Sequence, residues 1–218
     1  MCGLTLSHHA APQNTLGDKN TATRHNQKAR IWAPLPLPIF DFPKLKPSIP
    51  KEMVTTLRVN GTLVALERTS LRSVQKRLGG TFGSEGDASD YVQWLCFGGT
   101  TDEQRWVLWL ESGEIDGGKV GEFQLRRIAA DAKLDSRCEI LKNASGIELP
   151  FSLHLGMTED EVLKALGKPT ARKRDSLIYQ HHHVEIIHNE PYDSDNSVVV
   201  ALRDGVVWAL QVWKTVQS

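Results

Sequence analysis

The chain is short of nearly every feature that would commit it to a function class at first sight. Lysine plus arginine balances aspartate plus glutamate, 26 against 26, leaving a formal net charge of zero. No net field therefore draws it toward nucleic acid or an anionic membrane surface. No run approaches the roughly 20 apolar residues that a membrane-spanning helix needs. The start, Met1-Cys2-Gly3-Leu4, has neither the basic opening nor the apolar stretch of a secretory signal, so the sequence as it stands reads as cytoplasmic. A true start upstream of Cys2 would instead make that residue the lipid-anchored end of a periplasmic protein. There are only three cysteines, Cys2, Cys96 and Cys138, with no CxxC pair. That excludes a zinc ribbon and argues against a disulfide framework. Cys96 and Cys138 stand in apolar runs and are expected to be inert core thiols.

Catalytic signatures are equally scarce. There is no Gly-x-Ser-x-Gly elbow, and no cysteine has an obvious histidine partner. Gly79-Gly80-Thr81-Phe82-Gly83-Ser84-Glu85-Gly86 lacks the lysine of a phosphate loop and reads as a flexible connection. Asp193-Ser194-Asp195-Asn196 lacks the glycine and distal glutamate of a calcium loop and reads as a solvated turn. Glu111, Glu114 and Asp116 are expected on a wet hairpin turn with ordinary carboxylate pKa values. His181 and His183 share a strand face, but two imidazoles without a third ligand do not make a metal site. No catalytic residue, metal or cofactor is assigned; a metal-dependent hydrolase using His181 and His183 is the remotest alternative.

What is present is patterned. Residues 31–50 hold six prolines interleaved with Ile31, Trp32, Leu35, Leu37, Ile39, Phe40 and Phe42, a density that suits an extended arm and neither helix interior nor sheet centre. From residue 54 the chain changes. Asn60-Gly61 sits between two strand-like runs, the strongest short signal for a tight hairpin. Ser70 then caps a helical run through Leu71, Val74 and Leu78 that stops at Gly79-Gly80. Residues 91–97, 105–110 and 119–127 read as strands. Residues 138–141 and 147–149 read as a second hairpin, and Thr158 with Glu161 forms a capping box for a helix ending at Gly167. Residues 177–187, 198–202 and 206–213 supply further strands.

The order repeats: Val74, Leu78 and Gly79 align with Val162, Leu166 and Gly167, and residues 110–113 with 202–205. The expected fold is therefore α+β, two tandem helix-on-antiparallel-sheet repeats preceded by a proline-rich extended arm. The boundaries are 1–53 for the arm, 54–130 for the first repeat and 131–218 for the second. The stretch Leu155-Gly156-Met157-Thr158, with Val162, Leu166-Gly167-Lys168-Pro169, Leu177-Ile178-Tyr179 and Val200 to Val206, resembles the helix-then-sheet unit of the small outer-membrane assembly lipoproteins. It also resembles the tandem-repeat β-lactamase inhibitor proteins. The likeness is strongest over residues 155–213. It implies a non-catalytic protein that lays an open sheet face against another macromolecule.

Period-2 alternation then assigns the faces. Trp106, Leu108 and Leu110 point to the core, as do Val206, Trp208, Leu210 and Val212. The opposite side presents Arg105, Trp109, Gln124, Arg126, Gln211 and Trp213, the candidate partner-binding residues. Six tryptophans in a chain with 7% aromatics strengthen that choice, because tryptophan and arginine dominate interface energetics. The expected function is a protein-binding inhibitor, such as an immunity protein neutralising a bacterial toxin or effector. The alternative is an envelope scaffold or assembly lipoprotein. The partner is another protein, with no nucleic acid and no membrane insertion; a homodimer is a possible arrangement.

Overall fold

The computed structural model describes residues 31–34, 53–87, 90–101, 104–141 and 146–217. Strands Thr56–Val59 (β1) and Thr62–Ala65 (β2) pair across Asn60-Gly61, both with positive φ, which is what a two-residue hairpin turn demands. Helix Leu71–Leu78 (α1) begins at Ser70, whose side chain accepts from the Ser73 amide, and ends at Gly79 with φ of 82°. A meander follows: Phe82–Glu85 (β3), Val92–Thr101 (β4), Gln104–Gly113 (β5) and Glu122–Arg127 (β6). Two short strands come next, Glu139–Ile140 (β7) and Ile147–Glu148 (β8), then a 3-10 turn at Pro150–Ser152. Helix Glu159–Leu166 (α2) opens on the full capping box of Thr158 and Glu161. Strands Ala171–Lys173 (β9), Ser176–Ile187 (β10), Glu190–Arg203 (β11) and Val206–Gln217 (β12) complete the chain.

These strands form one large sheet ordered β3-β4-β5-β6-β12-β11-β10-β9, with β7 added parallel to β4, and a small sheet ordered β2-β1-β8. This overturns the expected α+β chain of two tandem helix-on-sheet repeats. Among the described residues the fold is mostly β, 55% strand against 12% helical. The sheet is continuous through β6 and β12, where Gln124 stands opposite Gln211. Two eight-residue helices, each about 12 Å long at 1.5 Å per residue, are too small to be half of the architecture. Three smaller expectations also fail. The second hairpin does not exist, since β7 pairs with β4 and β8 with β1. The supposed flexible connection contains β3. The supposed solvated turn at Asp193–Asn196 lies inside β11, where Ser194 and Asn196 are fully buried.

One face of the sheet carries the main core. Alternate residues Leu95 and Phe97, Leu108 and Leu110, Phe123 and Leu125, Leu177 and Tyr179, Val198 and Val200, and Leu210 and Val212 join one cluster with Leu71 and Val74 of α1 and Val162 and Leu166 of α2. The small sheet closes the same layer through Leu57, Val59 and Val64. The Tyr179 hydroxyl donates to the Gly167 carbonyl at the end of α2.

The opposite face is not uniformly open. Over β4 and β5 it carries a second core of Trp94, Cys96, Val107, Trp109 and Cys138, against which Ile31, Trp32 and Leu134 pack. Cys96 and Cys138 are joined in a disulfide, correcting the expectation of inert thiols. The segment 31–34 is tied down by backbone bonds from Ile31 to Lys133 and from Asp135 to Ile31. Arg137 stacks 4.3 Å over the Trp32 ring. Gly83 makes room for this layer: a Cβ there would meet the Trp94 indole at 2.3 Å, so only glycine lets the ring lie across β3. No helix among the described residues is long and apolar enough to cross a membrane.

Candidate functional site

The reverse face, away from the helices, reads as a set of cross-strand rows. One row runs Cys96, Trp109, Gln124, Gln211, Val199, Ile178 and Ala171 from β4 to β9. The next runs Trp94, Glu111, Glu122, Trp213, Ser197 and Gln180. A third contains Val107, Arg126, Ala209 and Ala201. These registers decide which of the expected partner-binding residues meet.

Trp109 is fully buried, 0% exposed, and its indole nitrogen donates to the Trp32 carbonyl at 2.9 Å. Gln124 and Arg126 are buried as well. The Arg126 guanidinium donates to Gln124 Oε1 at 3.3 Å, and burial pulls its pKa down to about 10 while Glu111 pulls it back up. Arg105 is spent inside the fold, donating to the carbonyls of Ala130 and Ala132 at 2.6 and 2.8 Å. Gln211 is partly buried and donates to Glu122 Oε1. Trp213 is partly exposed and packs against Ile178 and Val199. The structure therefore brings Trp109, Gln124 and Arg126 together in a closed layer, with Gln211 joined through Glu122, and sets Arg105 apart from them.

The polar strip at the centre of this face is unusual. Glu111 and Glu122 stand directly opposite each other on β5 and β6. Burial raises the pKa of both, and for Glu111 the neighbouring Glu122 adds to the rise. The expectation of ordinary, solvated carboxylates on a turn is thus wrong for Glu111, because β5 runs on to Gly113 and carries it inside. Asp116 is buried too and accepts from the Gly113 amide. Nearby, burial and Asp116 raise Glu67 from its ordinary 4.5 to about 7. Glu111 Oε1 and Trp94 Nε1 are buried without a hydrogen-bond partner.

Alternation misplaces two of the residues it assigns to the core, Val206 and Trp208. In the β11 and β12 ladder Ala201 pairs with Ala209 and Leu202 with Val207, so Trp208 is an extra residue with no opposite number. Such a β-bulge breaks the period-2 rule and re-aims one side chain. Val207, Leu210 and Val212 join the main core, while Trp208 turns to the other face and packs over Ala201 and Ala209. There it stands between two guanidinium groups, Arg203 at 4.3 Å and Arg126 at 5.6 Å from the ring centroid. Beside it opens a shallow cleft whose lining includes Lys173, Arg174, Asp175, Arg203 and Asp204 from the β9–β10 and β11–β12 turns. No residue-level signal in the sequence announces the bulge; only the excess of one residue in the pairing does.

At the far end of the β10–β11 hairpin, His182 lies 3.1 Å from Asp195 and 3.6 Å from Asp193, and His183 lies 3.3 Å from Glu185. The rings of His181 and His183 are 5.0 Å apart. Among the described residues no group of three or more His, Cys, Asp or Glu is placed to hold a metal ion. Comparison with family models, curated proteins and solved structures returns no match.

Proposed function

We propose that the chain is a non-catalytic protein-binding inhibitor, of the kind in which an immunity protein neutralises a bacterial toxin or effector. The observation that carries this reading is Trp208: a bulge turns it away from the main core, it stays partly exposed, and it is clamped between Arg126 and Arg203. Tryptophan and arginine held rigid beside a cleft are the residue types that concentrate binding energy at interfaces. Pre-ordering them reduces the entropy that association costs. The contact surface assigned to the partner is accordingly the β9–β12 end of the reverse face, with Trp208, Arg203 and partly exposed Trp213, in place of the buried Trp109, Gln124 and Arg126. Co-expression with the products of neighbouring genes tests this. One of them is expected to form a complex stable at micromolar concentration that Trp208→Ala weakens at least about tenfold, as an interface hot spot would. Absence of any such complex removes the reading, and a complex indifferent to Trp208→Ala moves the surface elsewhere.

A second reading, an envelope scaffold protein of the assembly-lipoprotein type, is favoured by the disulfide between Cys96 and Cys138. Disulfides persist in oxidising compartments and are rare in the cytosol. Thiol alkylation of protein taken directly from its own cells, read by mass spectrometry, separates the two: protected Cys96 and Cys138 favour the envelope, alkylated ones the cytoplasm.

A further inference from the structure

Beyond its pairing with β9, strand β10 has an edge that no strand covers among the described residues. Strand β9 pairs only with Ser176, Leu177 and Ile178. Next along that edge, Thr170 Oγ1 accepts from the Gln180 amide at 2.9 Å and donates to the Gln180 carbonyl. Both backbone groups of Gln180 therefore point away from β11. In an antiparallel strand that direction alternates residue by residue, so His182, Val184 and Ile186 also present their N–H and C=O outward, with nothing described to pair them. The side chains here are open too: Val184 is 55% and Ile186 69% exposed. An uncovered β-branched edge is a template for strand addition.

We infer that this edge is where a second copy of the chain docks, β10 against β10, antiparallel across a twofold axis. Three registers let outward-facing residues meet near the middle of the free edge, and their chemistry separates them. Centring on His183 requires Gln180, whose edge groups Thr170 already holds. Centring on Glu185 sets two glutamates directly opposite, and like charges there are destabilising. Centring on Val184 uses only free positions: Val184 meets its own counterpart, His182 meets Ile186, and each of these residues both donates and accepts. It also sets His183 of each copy opposite Glu185 of the other, an acid facing a base. Glu185 is already held in place by Lys214 Nζ at 3.0 Å, and that lysine holds its carboxyl below the usual range. The exposed Val184 and Ile186 side chains become a shared apolar strip. An isologous contact of this kind closes after two copies.

So short an interface belongs to the weak class, so sedimentation velocity should run from about 1 μM to about 1 mM, a range that spans weak affinities. The wild-type chain is expected to shift to twice its mass within that range. Val184→Pro removes an outward N–H and leaves the β11 ladder its bonds, since proline is tolerated on an edge. This variant is expected to stay monomeric with an unchanged circular dichroism spectrum. Should proline disturb the fold, Val184→Lys serves instead, placing two ammonium groups opposite each other. The register is read separately by the double variant His183→Cys, Glu185→Cys. Its facing residues lie about 4.5 Å apart between Cα atoms in a non-hydrogen-bonded pair, so oxidation is expected to yield a covalent dimer. A wild-type chain that remains monomeric at the top of the range overturns the inference. So does a dimer that survives both Val184 substitutions, or a folded double variant that forms no covalent dimer.

Discussion

Trp109 and Trp208 lie on the same face of one sheet on either side of Arg126, whose guanidinium is 6.0 Å from the first ring and 5.6 Å from the second, yet they end in opposite environments. Trp109 is sealed beneath residues 31–34 and the disulfide-tied segment ending at Cys138. Trp208 remains partly exposed beside a cleft. The residue type is the same and so is the sheet face. What differs is the covering: a segment of the chain crosses one end of the face, and at the other a single extra residue in β12 lifts the ring out of the alternation. A tryptophan in a strand thus becomes core or contact through register and cover, two properties that hydrophobicity does not carry.

The sharpest way to break this contrast is to truncate the two rings in turn. Trp109→Ala is expected to lower unfolding free energy by about 3–5 kcal/mol, the usual cost of emptying a tryptophan-sized core site. Trp208→Ala should cost far less, as it removes a ring that is only partly packed. Denaturant titration measures both; equal losses would erase the distinction. Next in size is the staple. The disulfide closes a loop with a sequence separation of 42, and loop-entropy arguments put its removal at about 4 kcal/mol. Reduction, or Cys96→Ser with Cys138→Ser, should therefore lower the melting temperature by many degrees. It should also loosen the Trp32 end of the face before the Trp208 end, which hydrogen exchange can follow.

How much of this was legible in the sequence follows from where the signals are local. The Asn60-Gly61 turn, the Ser70 cap and the Thr158–Glu161 capping box are decided by a few neighbouring residues, and each element stands where those residues place it. Strand pairing is decided at a distance. Nothing near Gln124 says that it will face Gln211, and that one pairing turns two expected repeats into a single sheet. Polar residues in β11 such as Asp193, Ser194, Asp195 and Asn196 resemble a turn because alternation is read from apolar letters. Ser194 and Asn196 are nevertheless buried, through what packs on them, including the Met53 amide that donates to Asn196 Oδ1 at 3.0 Å. The disulfide is illegible for the same reason: Cys96 and Cys138 stand far apart in the chain and meet only because residues 128–138 cross the reverse face. Trp109, Gln124 and Arg126 lie opposite the main core, and the cover over them is what local sequence does not carry.

The polar strip offers a smaller test of the closed end. Glu67, Glu111 and Glu122 all hold their protons more tightly when folded, chiefly through burial. A raised acid contributes stability that is complete below its unfolded pKa and is lost as pH rises through the folded value. For Glu67 that window runs from 4.5 to about 7. Stability from Glu67 should therefore fall as pH rises from 4.5 to about 7, and the raised carboxyls of Glu111 and Glu122 act in the same direction. Glu159, Glu161 and Glu185, whose pKa values lie below the usual range, act in the other direction and only in acid. Replacing Glu111 by Gln removes a buried titratable carboxyl, one oxygen of which is unpaired. It is expected to raise stability at pH 8 by on the order of 1 kcal/mol, with a smaller gain at pH 5. A uniform effect at both pH values would mean that Glu111 is not buried as described.

Among the described residues the reverse face is closed at its β4–β5 end and open at its β9–β12 end, and the six tryptophans report on both. Incorporation of 5-fluorotryptophan, assignment of each resonance by single substitution, and titration with a soluble paramagnetic agent measure solvent contact ring by ring. The expected result is strong broadening of Trp208, weaker broadening of Trp213, and little change at Trp94, Trp106 and Trp109. Broadening of Trp109 comparable to that of Trp208 would contradict the account.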